Sequence, residues 1–180
     1  MARDRTFLYQ DQQQNLSGDA IIELFTINLS TAIIPADATT VPDPIYFCNW
    51  EETNGSFVAF AGNQYVPIPY QASGFAISNE GVLPNPTLTM SNVFLTPTVL
   101  ANVYEDLLGT QVIRTRVLAK HLDNGSEPDS NAKWPDETWF VQRKVSENKL
   151  FITWELSTPF DLDGVTIPKR RAKFTGKSFS

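Results

Sequence analysis

The chain has one cysteine, one histidine and two methionines among its 180 residues. A lone Cys48 excludes an intramolecular disulfide and any all-cysteine metal site built from this chain. Its setting, Ile45-Tyr46-Phe47-Cys48-Asn49-Trp50, is that of a buried small hydrophobe rather than a reactive thiol. The lone His121 has no nucleophile or orienting acid placed beside it by a motif such as GxSxG, so it reads as a surface or strand-end histidine. No glycine-rich phosphate loop is present. No run approaches the ~20 apolar residues of a membrane span. The start, Met1 to Arg5, leads into Thr6-Phe7-Leu8-Tyr9-Gln10 and a polar stretch, without the apolar core of a signal peptide. The expectation is a protein kept in a cytosol, or assembled there into something larger.

What is there favours β structure. Twelve Phe, five Tyr and four Trp make 12% of the chain aromatic, and 12 Pro interrupt it. The hydrophobic share of 42% and charged share of 19% fit one well-buried globular domain. Charge is unevenly placed. Residues 169–180 hold Lys169, Arg170, Arg171, Lys173 and Lys177, five of the 14 cations, and no acid. Residues 1–168 are left with nine cations against 20 acids, a net of −11. An acidic body with a basic tail predicts an arm (residues 169–180) that docks on an acidic neighbour, another copy included, with those five cations as subunit contacts; the alternative is a solvated, frayed terminus. An acidic body disfavours nucleic-acid binding, which needs a basic surface.

The most specific stretch runs from Pro135 to Arg171. Thr138–Val145 and Lys149–Ser157 alternate on either side of Ser146-Glu147-Asn148, the pattern of a β-hairpin. Leu150, Ile152, Trp154 and Leu156 share one face, and burying them is worth roughly 2 kcal/mol each before entropy. Residues 1–20 read as an arm, and residues 21–168 as one β-rich domain. Ile21–Leu29 alternates with its odd-numbered positions facing a core. Ile45–Trp50 and Phe57–Ala61 flank Glu51-Glu52-Thr53-Asn54-Gly55, a hairpin connection with an Asn-Gly turn signal. Gln64–Tyr70, with Pro67 and Pro69, predicts an edge strand or a bend. Phe75–Ser78 is a short strand, Pro86–Val93 places Leu88 and Met90 on one face, and Gln111–Leu122 is a further strand. The one helix runs near 97–108. Thr96 is its N-cap, Pro97 its first residue and Gly109 its stop, with Val99, Leu100, Val103, Leu107 and Leu108 as its apolar stripe.

Candidate chemistry is sparse. Glu51-Glu52 imitates a glycosidase carboxylate pair, but neighbours on a strand point to opposite faces, so a turn is the better reading. Asp123, Asn124, Glu127 and Asp129 offer oxygen ligands without the full EF-hand pattern or its terminal bidentate Glu. The four Asn-x-Ser sequons, at Asn15, Asn28, Asn54 and Asn124, read as chance and turn chemistry. Trp154 and Trp50 read as core. The residues alone point to a β-rich structural or interaction domain, not an enzyme.

Several segments, in order, resemble the phage minor tail protein L family of lambda-like long-tailed phages. They are Ile22-Glu-Leu-Phe-Thr-Ile-Asn28, Pro86-Thr-Leu-Thr-Met-Ser-Asn-Val93, Asp106-Leu-Leu-Gly-Thr-Gln-Val-Ile-Arg-Thr-Arg116, Leu122-Asp123, Arg143-Lys-Val-Ser-Glu-Asn-Lys149 with its following strand, and Leu162-Asp-Gly-Val-Thr-Ile-Pro-Lys-Arg-Arg171. The resemblance implies a β-barrel or sandwich-like hub domain with one principal helix. It implies a structural component of the virion tail tip, assembled in the host cytoplasm into a trimeric homo-oligomeric ring. That ring would lie between the distal tail protein and the central fibre or tip attachment protein, lining the DNA channel without sequence-specific nucleic-acid binding. Family members commonly carry a C-terminal cysteine-rich domain that binds an iron–sulfur cluster; this sequence, with Cys48 alone, departs from that pattern, and no cofactor is expected. Two other readings stand beside it. One is a carbohydrate-binding module at the host surface, with exposed aromatics on a single face where a hub would have them buried or at subunit contacts. The other is a peptidoglycan-degrading enzyme using Glu51 or Glu52.

Overall fold

A computed structural model describes residues 18–32, 43–50, 57–75, 85–93 and 95–158. Among the described residues the strands are β1 (Ile21–Asn28), β2 (Ile45–Cys48), β3 (Val58–Phe60), β4 (Asn63–Pro67), β5 (Tyr70–Ser73), β6 (Thr87–Ser91), β7 (Gln111–Leu118), β8 (Glu137–Glu147) and β9 (Phe151–Ser157). The helix α1 spans Thr96–Val103. The strands form one mixed sheet in the order β3-β4-β2-β1-β7-β8-β9-β6-β5. Its mainly β character with one principal helix is the expected one.

The sheet closes on itself through one stretch of chain. β4 pairs in parallel with β2, and β5 pairs antiparallel with β6 at the far end of the strand order. Only Ile68 and Pro69 separate β4 from β5, and the Ile68 N–H still donates to the Cys48 carbonyl at 2.9 Å. The next residue, Pro69, faces the other way, its carbonyl accepting from the Ser91 N–H of β6 at 2.8 Å. The result is a barrel. Phe25, Ile27, Phe47, Leu88, Val112, Val141, Ile152, Trp154 and Leu156 fill it. Phe25 stacks on Phe47 at 5.5 Å between centroids, and Tyr70 meets Phe25 edge-on at 4.9 Å. Ala101 and Leu107 join this core from α1 and the turn after it. A second cluster, including Ile22, Leu24, Cys48, Val58, Tyr65 and Val117, lies on the other side of β1 and β2.

That second layer corrects the reading of β1. The odd positions Phe25 and Ile27 are buried as expected, but Ile21 is exposed and the even positions Ile22 and Leu24 are buried too. A strand covered on both faces loses its period-2 signature. The Asn-Gly hairpin also fails, because β4 lies between β2 and β3. The hairpin in this region is β3–β4, turning at Ala61 (φ 53) and Gly62 (φ 77), and both left-handed values are those of a type I′ turn. Pro67 stands in an internal strand that bends, rather than at an edge. Residues 51–56, with Glu51, Glu52 and Asn54, lie outside the described residues, as do 76–78 of the expected strand Phe75–Ser78.

The helix is shorter than expected. Leu95, not Thr96, takes the N-cap position, in a left-handed conformation (φ 58), and Pro97 falls in the first turn. After Val103 the chain makes a turn in which Glu105, Asp106 and Leu107 all have positive φ (46, 60 and 61). Such a conformation costs roughly 1–2 kcal/mol per residue. Its return is burial of Leu107, 1% exposed, at the end of the barrel. Val99, Val103 and Leu108 of the expected stripe are exposed, Leu100 packs against the core as expected, and Pro97 and Ala101 are the buried residues of α1. β7 ends at Leu118, where residues 119–121 tighten into a 3-10 turn.

Candidate assembly surfaces

The β8–β9 hairpin forms with Asn148, Lys149 and Leu150 at its tip, two positions on from the expected break at Ser146-Glu147-Asn148. Ile152, Trp154 and Leu156 are buried as expected, but Leu150 is 68% exposed, since it sits in the turn and not on the strand. β8 shifts register twice, between Val141 and Arg143 and between Lys144 and Ser146. It pairs with β7 only up to Phe140, so its second half projects with β9 alone.

A buried asparagine fixes this projection to the helix. Asn92 is 1% exposed. Its Nδ2 donates to the Asn148 carbonyl at 2.7 Å and to Thr98 Oγ1 at 2.8 Å, and its Oδ1 accepts from the Thr98 N–H at 3.3 Å. Thr98 Oγ1 in turn donates to Glu147 Oε1 at 2.6 Å. Lys144 Nζ bridges Asp106 (2.5 Å) and Glu147 (2.8 Å). Asn148 Oδ1 accepts from the N–H groups of Leu150 and Phe151, closing the turn. The tip therefore presents Leu150 and Phe151 on a held backbone, with Val93, Leu95 and Val99 exposed on the segment bonded to it. Contiguous exposed apolar residues of this kind mark contact surfaces.

The tip carries a pH dependence. The Lys144 ammonium, and then the Thr98 hydroxyl, hold the Glu147 carboxyl below the ordinary carboxylate value. Hydrogen bonds to Asp106 and Glu147 hold Lys144 above its ordinary value. A depressed acid contributes stability above its unfolded pKa and loses it as pH falls through the lowered folded value; a raised base loses its contribution only as pH climbs past the raised value. We predict that the melting-temperature gap between the natural chain and Glu147→Gln narrows as pH drops from 7 to 3. A gap constant with pH would show that the ion pair contributes nothing.

A second polar cluster lies inside the barrel mouth. Arg114, whose side chain is 13% exposed, pairs with Glu23 and with Glu137 (3.0 Å), and Arg116 also reaches Glu137 at 2.9 Å. The Arg114 guanidinium stands 4.7 Å over the Phe75 ring. Arg114 and Arg116 lie two apart on β7, and the fold brings both to half-buried carboxylates of β1 and β8.

The remaining sequence candidates resolve into structural roles. His121 is 5% exposed, which corrects the surface reading, though it does follow the end of β7; its Nδ1 donates to the Glu127 carbonyl at 2.9 Å. Asp123 accepts from the N–H groups of Ala61 (3.0 Å) and Gly62 (2.9 Å), so it caps the β3–β4 turn. Asp129 Oδ1 caps Asn131. Among the described residues no group of three or more His, Cys, Asp and Glu could hold a metal ion. Cys48 is buried, its thiol donates to the Trp50 carbonyl at 3.2 Å, and burial raises its pKa, which does not fit a thiolate ligand of an iron–sulfur cluster. The Ser30 and Thr31 hydroxyls donate to the Asn28 Oδ1 and carbonyl, each at 2.7 Å. Trp154 is core at 2% exposure, whereas Trp50 is 43% exposed because β2 has already ended at Cys48. No described helix is long and apolar enough to cross a membrane. Lys169, Arg170, Arg171, Lys173 and Lys177 lie outside the described residues, as do Asn15 and the rest of residues 1–17 and 159–180.

Comparison with known proteins agrees with the resemblance in the sequence. The family described as phage minor tail protein L matches residues 37–176. Tail tip protein L of Escherichia phage lambda is 32% identical over 130 residues, covering 69% of this chain and 56% of that protein. The chain thus spans little more than half the length of that relative. The chain belongs to the phage minor tail protein L family, a family of structural proteins of the virion tail.

Proposed function

We propose that the chain is a non-enzymatic subunit of the tail-tip hub. It forms a trimeric ring between the distal tail protein and the central fibre or tip attachment protein, assembled in the host cytoplasm and carried in the virion. The observation that carries this reading is the match to lambda Tail tip protein L over 69% of the chain. The held apolar tip of β8–β9 and α1 supports it as a surface for subunit contact. The net −11 of residues 1–168 supports an acidic wall along which DNA passes without adhering. Imaging the intact virion tail to side-chain density tests the whole reading. Density for this chain away from the tip, or a basic lumen, would overturn it.

The basic arm is assigned to the neighbouring subunit. Removing residues 169–180, with Lys169, Arg170, Arg171, Lys173 and Lys177, is expected to weaken ring assembly most at low salt, where charges are least screened. Sedimentation of the full and shortened chains at low and high salt checks this, and identical assembly would count against it. The carbohydrate-binding reading gains little support from the structure. Trp134, Trp139 and Trp154 are buried, and the exposed Trp50, Phe57 and Phe151 belong to separate segments of the sheet.

A further inference from the structure

The larger apolar side chains of α1 face away from the barrel. Val99 and Val103, one turn apart, are 56% and 45% exposed, whereas the residues α1 buries are Pro97 and Ala101. The outer half of the β8–β9 hairpin runs beside the helix. Lys144 meets Asp106 just past the end of α1, and Glu147 meets Thr98 near its start. The tip therefore lies beyond the first turn of the helix, with Leu150 and Phe151 exposed. Asn92 joins tip and helix into one surface: its N–H donates to the Leu150 carbonyl at 2.8 Å and its Nδ2 to Thr98 Oγ1.

Two charges mark the ends of this surface. Lys149 stands on the tip and Glu105 in the turn after α1, both exposed. Among the described residues neither side chain has an ion-pair partner, whereas Lys144, Asp106 and Glu147 between them are paired with one another. The eight residues of α1 span about 12 Å, so a cation and an anion stand at least a helix length apart at opposite ends of an apolar strip. Such a strip is complementary to itself after half a turn. Lys149 of each copy then meets Glu105 of the other, at the negative end of the other α1, and the valines meet across the axis. Both halves of the contact lie on one face of the chain, as a twofold contact requires, whereas a head-to-tail ring uses two different faces. The strip is also where like-charged copies repel least. Residues 1–168 carry a net −11, but the strip sets Lys144 and Lys149 against Glu105, Asp106 and Glu147. We propose that the free chain pairs with a second copy of itself through α1 and the β8–β9 tip, the two helices antiparallel about a twofold axis. This pairing does not rest on the tail-tip ring. Where the ring uses the same tip, the pair must part before assembly.

Sedimentation of the full chain over a concentration series should show a monomer–dimer equilibrium. Lys149→Glu and Glu105→Lys each place like charges in both contacts and should weaken the dimer about ten-fold, more at low salt than at high. Both sites are exposed, so the thermal melts should stay at the natural value. Mixing the two variants should restore the dimer as a hetero-pair, because every contact then joins opposite charges. A chain carrying both substitutions should pair with itself. A fault in folding cannot be repaired by mixing, so these two results identify a contact. Val99→Asp should weaken each of these pairs at any salt concentration. A chain that is monomeric throughout the series, or a dimer indifferent to Lys149→Glu, overturns the proposal. So does an assembly that the double substitution restores and mixing does not, since an odd-numbered head-to-tail ring cannot alternate the two variants.

Discussion

Trp154→Ala is expected to lower the unfolding free energy by about 4 kcal/mol, the range for removing a large aromatic from a packed core. Trp154 is 2% exposed among Leu88, Ile152 and Leu156 in the barrel, and on β9 it pairs with Leu88 of β6 and Lys144 of β8. It also has a local task. Its Nε1 donates to the Asp106 carbonyl at 3.1 Å, and Asp106 is the middle of the three left-handed residues that bring Leu107 inward. Truncation therefore opens a cavity and leaves a strained turn without its anchor. Trp154→Phe separates the two losses. It keeps most of the packing and removes the donor, so about 1–3 kcal/mol should go with the unpaired carbonyl. Chemical denaturation of both variants measures this, the midpoint falling while the slope holds. A Trp154→Phe chain as stable as the natural one would mean that the indole nitrogen does not hold the turn.

The second large effect is at Asn92. Asn92→Ala is expected to cost about 3 kcal/mol, because it removes three side-chain hydrogen bonds and leaves the Asn148 carbonyl and the Thr98 N–H short of partners. Thr98→Val should cost less, about 1 kcal/mol, since Asn92 would still hold the Asn148 carbonyl. The two substitutions are in direct contact, so their costs should not add. Asn92→Ala has a further consequence for assembly. The tip bearing Leu150 and Phe151 would keep only the Thr98–Glu147 bond to α1, so faster amide exchange at the tip should accompany weaker self-association. A double-mutant cycle in denaturant, with exchange read at Leu150 and Phe151, checks both effects. Additive costs, or a tip that exchanges at the natural rate, would remove Asn92 from its role.

Much of the sheet was legible because one-sided strands keep their alternation. Leu88 and Met90, and Ile152, Trp154 and Leu156, appear in the sequence as they lie in the core. Segments with two covered sides or none were not legible. β1 is covered on both faces, so its pattern pointed to one face where there are two. α1 closes the barrel through Pro97 and Ala101, small residues that do not stand out beside Val99 and Val103, which face outward. The pairing of β2 was misassigned because an Asn-Gly signal is local, while the parallel β2–β4 contact depends on how the barrel closes. The polar network at Asn92 carried no signal at all. Asparagine, threonine and glutamate at positions 92, 98 and 147 meet only through the register of β6, α1 and β8.

What the sequence determined by itself was the β character, the β8–β9 hairpin and the family, because alternation and ordered motifs are properties of the chain taken one stretch at a time. What only the tertiary structure decided was closure. β4 and β5 join opposite ends of the sheet across Ile68 and Pro69, and that closure sets which residues become the wall and which the held tip. The physical reason is range. Side-chain periodicity reports the environment within a strand, whereas the partner of each strand edge is chosen by backbone hydrogen bonds between residues far apart in the chain.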